Sequence, residues 1–338
     1  MTRIGLMGLG RIGRNLFRLL YAREDLRIAA VSELAEPEPL EYLLRFDTVL
    51  GRFPDEVSIK EGQIFAFGRR IPLVRGEGPA PWGELGVDVV LEATARGRTR
   101  AELEAHLGAG ARRVIACAPP LDPPDATIVA GVNDGALRRE HRIVSNATST
   151  VHCIAPILKL FQEAFGIERA MFTTVHSYTG RHHLADVPEE DPRLGRAAAE
   201  NIIPQESRSP AILKELLPAL GGRLTGAAMS VPVRNGSAVD LVCWHEQKVT
   251  PTAINEVVRT AAGSSRWSRV LYYEDDPIVS TDIARTSYSS VFDSLSTMVM
   301  GGKVSKTLTW FDSGFGFAQR AVELVERFAE LDRAGRAA

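Results

Sequence analysis

The stretch RIGLMGLGRIGRNLFRLLYAREDLRIAAVSE, residues 3–33, restricts the fold more than any other segment of the chain. Ile4, Leu6 and Met7 read as a short buried strand, and Gly8, Gly10 and Gly13 follow at once as GxGxxG. Ile12, Leu16, Leu19 and Leu20 recur at helical spacing, and RIAAVSE closes the unit as a second strand ending in Glu33, twenty residues after Gly13. Glycines there let a backbone turn approach a pyrophosphate at a helix N-terminus, where unpaired N–H groups favour negative charge. An acid at the end of the second strand suits adenine-ribose hydroxyls and repels a 2′-phosphate, which favours NAD over NADP. The pattern predicts a dinucleotide-binding βαβ unit; a tight turn that binds nothing is the plainer alternative.

Further strands are predicted in VDVVLEAT (87–94), RRVIACAP (112–119), TIVAGV (127–132) and RIVSNA (142–147), with a helix in RTRAELEAHLGAGA between the first two. Near-continuous apolar strands belong to a parallel sheet covered on both faces. After residue 150, RAMFTTVHSYT, GAAMSVPV, AVDLVCWHEQ and KTLTWFDS are longer and partly alternating, and Pro251 suits the first position of a helix. The expected class is α/β. A Rossmann-type doubly wound parallel sheet over 1–148, completed by a C-terminal helix at 315–334, accompanies an α+β domain at 149–314 with a mostly antiparallel sheet. Residues 181–208 carry many charges and little periodicity, as a long functional or interface loop does.

A length of 338 residues suits two such domains, and a net charge of −2 gives no global bias toward nucleic acid. Cys117, Cys153 and Cys243 are too far apart in sequence for a CxxC metal site and odd in number for a disulfide framework. The chain enters its first strand directly and has no apolar run of about 18 residues, so a cytoplasmic protein without a membrane segment is expected. His182 and His183 in an exposed, charged loop have no metal-ligand spacing, and no metal is expected.

SNATSTVHCIAPILKLF (145–161) leads from a strand end into a helix whose stripe is Ile154, Ile157, Leu158 and Phe161. Ser149 and Thr150 fall at its N-terminus, as ordinary caps or as part of a site.

Over essentially its whole length the chain resembles glyceraldehyde-3-phosphate dehydrogenases, and within them the erythrose-4-phosphate dehydrogenase branch. The resemblance is carried by GLGRIGR (8–14), SELAEPEPLEYLLRFDTVLGRF (32–53), PWGELGVDVVLEAT (81–94), EHRIVSNATSTVHC (140–153), TTVHSYT (173–179), GRAAAENIIP (195–204) and KTLTWFDSGFGFAQR (306–320). It implies a homotetramer that oxidises a phosphorylated aldose with NAD: a cysteine thiolate attacks the aldehyde, and a histidine acts as base. His176 matches that histidine, and Ser149 occupies the nucleophile's position. The implied cofactor contacts are Gly8, Gly10, Arg11, Ile12, Gly13, Glu33, Thr94 and Ser313. The implied substrate-anion contacts are Thr148, Thr150, Thr179, Ser207 and Arg208.

Several positions depart from the family's pattern. A serine is a far weaker nucleophile than a thiol and gives an ester less reactive than a thioester. Cys153 lies four residues, about 6 Å, along the helix and does not take over that role. Ser230 stands where the family has a phosphate-holding arginine, Ser313 where it has the asparagine that orients the nicotinamide amide, Gly314 for a glutamate, His152 for an asparagine and Ala95 for a glycine. Two readings follow: an oxidoreductase with altered chemistry through Ser149 and His176, or a non-catalytic NAD-binding paralogue.

Overall fold

The computed structural model describes residues 1–338 except Ala22, Ala95 and Ala338, and except the side chains of Arg336 and Ala337. The chain divides into two compact units, Met1–Ile128 with Asn133–Thr148 and Phe317–Ala338, and Val129–Val132 with Ser149–Gly316.

In the first unit β1 (Thr2–Met7), α1 (Arg11–Leu19) and β2 (Leu26–Ser32) form the predicted strand, turn, helix and strand. The chain continues through α2 (Pro37–Arg45), β3 (Ser58–Lys60), β4 (Gln63–Ala66), β5 (Arg69–Val74), β6 (Val89–Glu92), α3 (Arg100–Gly108), β7 (Arg113–Ala116), β8 (Ala126–Thr127) and β9 (Ile143–Ser145). These nine strands make one sheet in the order β8-β9-β7-β6-β1-β2-β5-β4-β3. All pairings are parallel except the β3/β4 and β4/β5 hairpins at one edge. Successive residues of the central strands face opposite sides, so each side needs its own core. Ile4 and Leu6 join Leu16 and Phe17 of α1 on one face, and Met7 and Val90 join Trp82 and Leu103 on the other. Complete burial of a side chain like Phe17 is worth roughly 2–3 kcal/mol. The strand order reverses beside β1, and the Gly8–Gly13 turn lies there, where doubly wound sheets hold their ligands.

The strand expected at 127–132 is confined to Ala126–Thr127. Gly131 has φ +77°, and a Cβ there would meet the Trp267 ring at 2.7 Å. Arg266 Nε also donates to its carbonyl at 2.9 Å, so Val129–Val132 turns away to pack in the second unit.

The second unit opens with α4 (Ser149–Phe165), followed by β10 (Ile167–Ser177), β11 (Ile203–Gln205), α5 (Ser209–Leu216), β12 (Leu224–Val231), β13 (Ser237–His245), α6 (Pro251–Ala262), β14 (Leu271–Glu274), β15 (Ser290–Met300) and β16 (Val304–Phe311). Its sheet runs β11-β12-β10-β13-β16-β15-β14. Four pairings are antiparallel, and β10/β12 and β14/β15 are parallel. The predicted stripe Ile154, Ile157, Leu158 and Phe161 is fully buried under this sheet. On the sheet's opposite face the register aligns Met171, Val242, Lys306 and Met298 in one row, with Met171 47% and Met298 59% exposed. The last helix, α7 (Phe315–Ala337), buries Phe317, Ala321, Val322, Val325 and Phe328 in the core of the first unit.

Candidate active site

In the first unit, the residues expected to bind the nucleotide gather at and beside the β1–α1 turn. Gly8 takes φ +92°, and a Cβ there would press on the Thr94 backbone at 3.1 Å. A Cβ at Gly13 would sit 2.0 Å from Gly8 O, so the helix can start this close to the strand only with glycine at 13. Gly10 is different: a Cβ there would meet nothing within 4 Å. Open space therefore lies at the start of α1, where Arg11, Ile12 and Gly13 begin a helix whose first N–H groups have no intrahelical acceptor. A pyrophosphate fits that cradle, and a side chain at 10 would intrude on it.

Glu33 Oε2 accepts Leu9 N–H at 2.5 Å, and its Oε1 accepts those of Leu34 at 2.7 Å and Ala35 at 3.2 Å. The acid expected at a ribose thus also braces the glycine turn. Beside it, the Thr94 hydroxyl donates to Glu92, a carboxylate only 1% exposed, and Arg98 approaches that carboxylate to 3.7 Å. Burial pushes the Glu92 carboxyl above its ordinary value, against the pull of Thr94 and Arg98. The sequence singled out Thr94 but neither Glu92 nor Arg98; an acid at the end of a buried parallel strand was the signal available. The exchange at Ala95 lies outside the described residues.

In the second unit Ser149 is the first residue of α4, half-buried, with the buried Thr150 following. The approach to it is fixed by main-chain bonds. Asn146 N–H reaches Ala116 O at 3.0 Å, Asn146 Nδ2 reaches Phe317 O at 3.1 Å, and Ala147 N–H reaches Ser145 Oγ at 3.1 Å. Ala147 is held at φ +52°, a left-handed conformation costing a non-glycine residue about 1 kcal/mol. Pro156 removes an N–H that would bond His152 O, and the Ser290 hydroxyl donates to His152 O at 3.3 Å and Cys153 O at 2.6 Å. Cys153 is fully buried, its Sγ 3.6 Å from Thr309 O, and burial pushes its thiol well above the ordinary value. It supplies no thiolate.

His176 lies near the end of β10, with its ring edge-on to Phe311 at 5.8 Å. Its Nδ1 is 2.7 Å from Ser177 O. A carbonyl only accepts, so Nδ1 carries the proton and the lone pair of the neutral ring is on Nε2, the form a general base requires.

The β10/β12 register sets Ser230 beside His176. The Gln205 amide lies 2.7 Å from Ser230 Oγ and 2.6 Å from His182 Nε2. Thr179 N–H points at His182 Nδ1 from 3.1 Å, which places that ring's proton on Nε2. The amide atom facing it is then the oxygen, accepting from both His182 and the Ser230 hydroxyl. Burial holds the His182 pKa below its ordinary value, so the chain Thr179–His182–Gln205–Ser230 is neutral near pH 7. His182 and Gln205 had no role in the sequence reading. Ser207 Oγ accepts Ser209 N–H at 3.3 Å, and the exposed Arg208 precedes α5. No hydrogen bond among the described residues ties Thr150, Ser207 or Arg208 to Thr179.

Ser313 follows β16. Its Oγ is buried with no hydrogen-bond partner among the described residues, as suits a hydroxyl awaiting an amide. Asp312 accepts Asn235 Nδ2 and Arg285 N–H on one oxygen and Gly314 and Phe315 N–H on the other, locking the turn around it.

Residues 148–313 match the C-terminal domain of glyceraldehyde 3-phosphate dehydrogenase, and residues 2–100 match the NAD binding domain of the same enzyme. Similar proteins include the glyceraldehyde-3-phosphate dehydrogenase of Streptomyces coelicolor, 43% identical over 95% of this chain and 97% of that one. Glyceraldehyde-3-phosphate dehydrogenase 1 of Bacillus cereus is 41% identical over 96% of this chain and 97% of that one. The enzyme of Geobacillus stearothermophilus is 41% identical over 97% and 98%. With both domains matched and such identity along its length, the chain belongs to the glyceraldehyde-3-phosphate dehydrogenase family.

Proposed function

We propose that this NAD-binding protein is an oxidoreductase acting on the aldehyde of a phosphorylated aldose, of the erythrose 4-phosphate or glyceraldehyde 3-phosphate class. Ser149 stands in the nucleophile's place, and His176 is the base. NAD binds at Gly8, Gly10, Arg11, Ile12, Gly13, Glu33 and Thr94, with Ser313 toward the nicotinamide amide. Thr148, Thr150, Thr179, Ser207 and Arg208 receive anionic groups. Residues 1–148 with 315–334 serve as the nucleotide domain, and 149–314 as the catalytic domain. The observation that carries this reading is the His176 tautomer, whose Nε2 lone pair is set by the 2.7 Å bond at Nδ1.

NAD, when bound, supplies the hydride acceptor. Nε2 takes the Ser149 hydroxyl proton as Oγ adds to the aldehyde carbon; after that proton passes to solvent, Nε2 activates water or phosphate against the ester left by hydride loss. That ester is a poorer acyl donor than a thioester, so its release limits turnover. Glu33 and the segments at 32–53 and 81–94 support the erythrose 4-phosphate side of the class.

The neutral chain at Ser230 favours a second reading, a non-catalytic NAD-binding paralogue. NADH formation at 340 nm with both sugar phosphates separates the two. Turnover below about 1 s⁻¹, under the usual dehydrogenase range, is expected. No NADH from protein that still binds NAD would leave the non-catalytic reading in its place.

The exposed row Met171, Val242, Lys306 and Met298 supports burial of this sheet face against a second copy in a cytoplasmic homotetramer. Light scattering is expected to give four times the 36.9 kDa chain mass, and a monomer would overturn it.

A further inference from the structure

Away from the glycine turn, the first unit contains a cavity of about 680 Å³ between α2, the 52–58 loop and the β4–β5 hairpin. Its wall includes Arg45, Arg52, Arg69 and Arg70, with Phe53, Val57 and Phe65 as the apolar part. Ligand sites fall in this size range. The charges do not cancel locally. Arg45 pairs with Glu41 at 3.6 Å, and the other Glu41 oxygen accepts Ile59 N–H. Asp55 accepts Glu56 N–H, and with Glu41 and Glu56 it makes three carboxylates in the wall against the four arginines. Among the described residues, no carboxylate lies within 4 Å of the Arg52, Arg69 or Arg70 guanidinium.

Aromatic rings hold these guanidinium groups in place. Arg45 and Arg52 both lie over Phe46, at 5.4 and 5.9 Å, and Arg70 lies over Phe65 at 5.7 Å. With two guanidinium groups at one ring and a third at Phe65, positive charge gathers along this wall, which an anion would offset. Planar guanidinium groups can take phosphate oxygens in pairs.

We infer that this cavity is an anion site, separate from the dinucleotide turn, for an oligophosphate, either free or esterified to a nucleoside. A single phosphate would satisfy one or two guanidinium groups, whereas a chain of two or three phosphates carries oxygens enough for Arg52, Arg69 and Arg70 and suits the volume.

Calorimetric titration of the full chain, with NAD saturating its own site, tests the inference using inorganic tripolyphosphate and ATP as probes. One site is expected, weakening steeply with added salt and at least tenfold in an Arg52→Ala/Arg70→Ala variant. The single Arg70→Gln variant, with less change to the surface, is expected to weaken binding in the same direction. Tighter ATP than tripolyphosphate would assign the source to nucleotides, and the reverse order to free oligophosphate. Absence of binding, or equal binding in both variants and the parent protein, would overturn the inference. Neither result depends on turnover, so it stands or falls apart from the catalytic proposal.

Discussion

Replacing Ser149 with cysteine is expected to raise NADH formation from glyceraldehyde 3-phosphate by at least about a hundredfold. Removing or restoring a nucleophile changes rates by several orders of magnitude in enzymes whose remaining groups are intact. The first turn of α4 favours negative charge, so a thiol there ionises near neutral pH, which a hydroxyl does not. A thioester then releases its acyl group more readily than the Ser149 ester. Two measurements check the outcome: NADH absorbance, and the pH dependence of alkylation at the new thiol. A thiol that alkylates rapidly at pH 7 while NADH formation stays unchanged would show that the site lost more than its nucleophile. The neutral surroundings of Ser230 would then be the next place to look, and the non-catalytic reading would gain.

The second large effect separates two glycines that the sequence motif treats alike. Gly13→Ala puts a methyl group 2.0 Å from Gly8 O, and neither β1 nor α1 can retreat without opening a core that includes Leu16 and Phe17. A loss on the order of 3 kcal/mol and a fall of several degrees in melting temperature are expected. Gly10→Ala leaves stability nearly unchanged, because φ −62° and ψ −163° suit alanine and its Cβ meets nothing within 4 Å. Its expected cost is instead a tenfold or greater loss of NAD affinity, read by calorimetry beside the melting curves. Unchanged NAD affinity in Gly10→Ala would remove the pyrophosphate from this turn.

What the sequence made legible were features enforced by local periodicity. The opening βαβ unit and the α4 stripe were readable because their apolar residues repeat at 2 or 3.6 and their turns use glycine. Elements whose causes are tertiary were missed or misplaced. The strand expected at 127–132 stops early because of Trp267, far away in sequence. Helix α2, in a segment that begins with Glu36, Pro37, Glu38 and Pro39, and strand β15, whose exposed half ends in Met298 and Met300, lack a clean pattern of their own. At the site, Ser149, His176 and Glu33 were named by position. The groups that set the state of His176 and Ser230 were not, since Ser177 O, Gln205 and His182 act through backbone geometry and amide orientation, which residue type alone does not encode.

The turn at Ala147 gives position 149 an unusual independence. Asn146 and Ala147 are held by Ala116 O, Ser145 Oγ and Phe317 O, through bonds in which the residue 149 side chain takes no part. The frame is therefore a socket: on the proposed reading, exchange of one small side chain at 149 leaves the bonds of Asn146 and Ala147 untouched. Chemistry at 149 and architecture around it are thus set by different atoms, so either can change without the other.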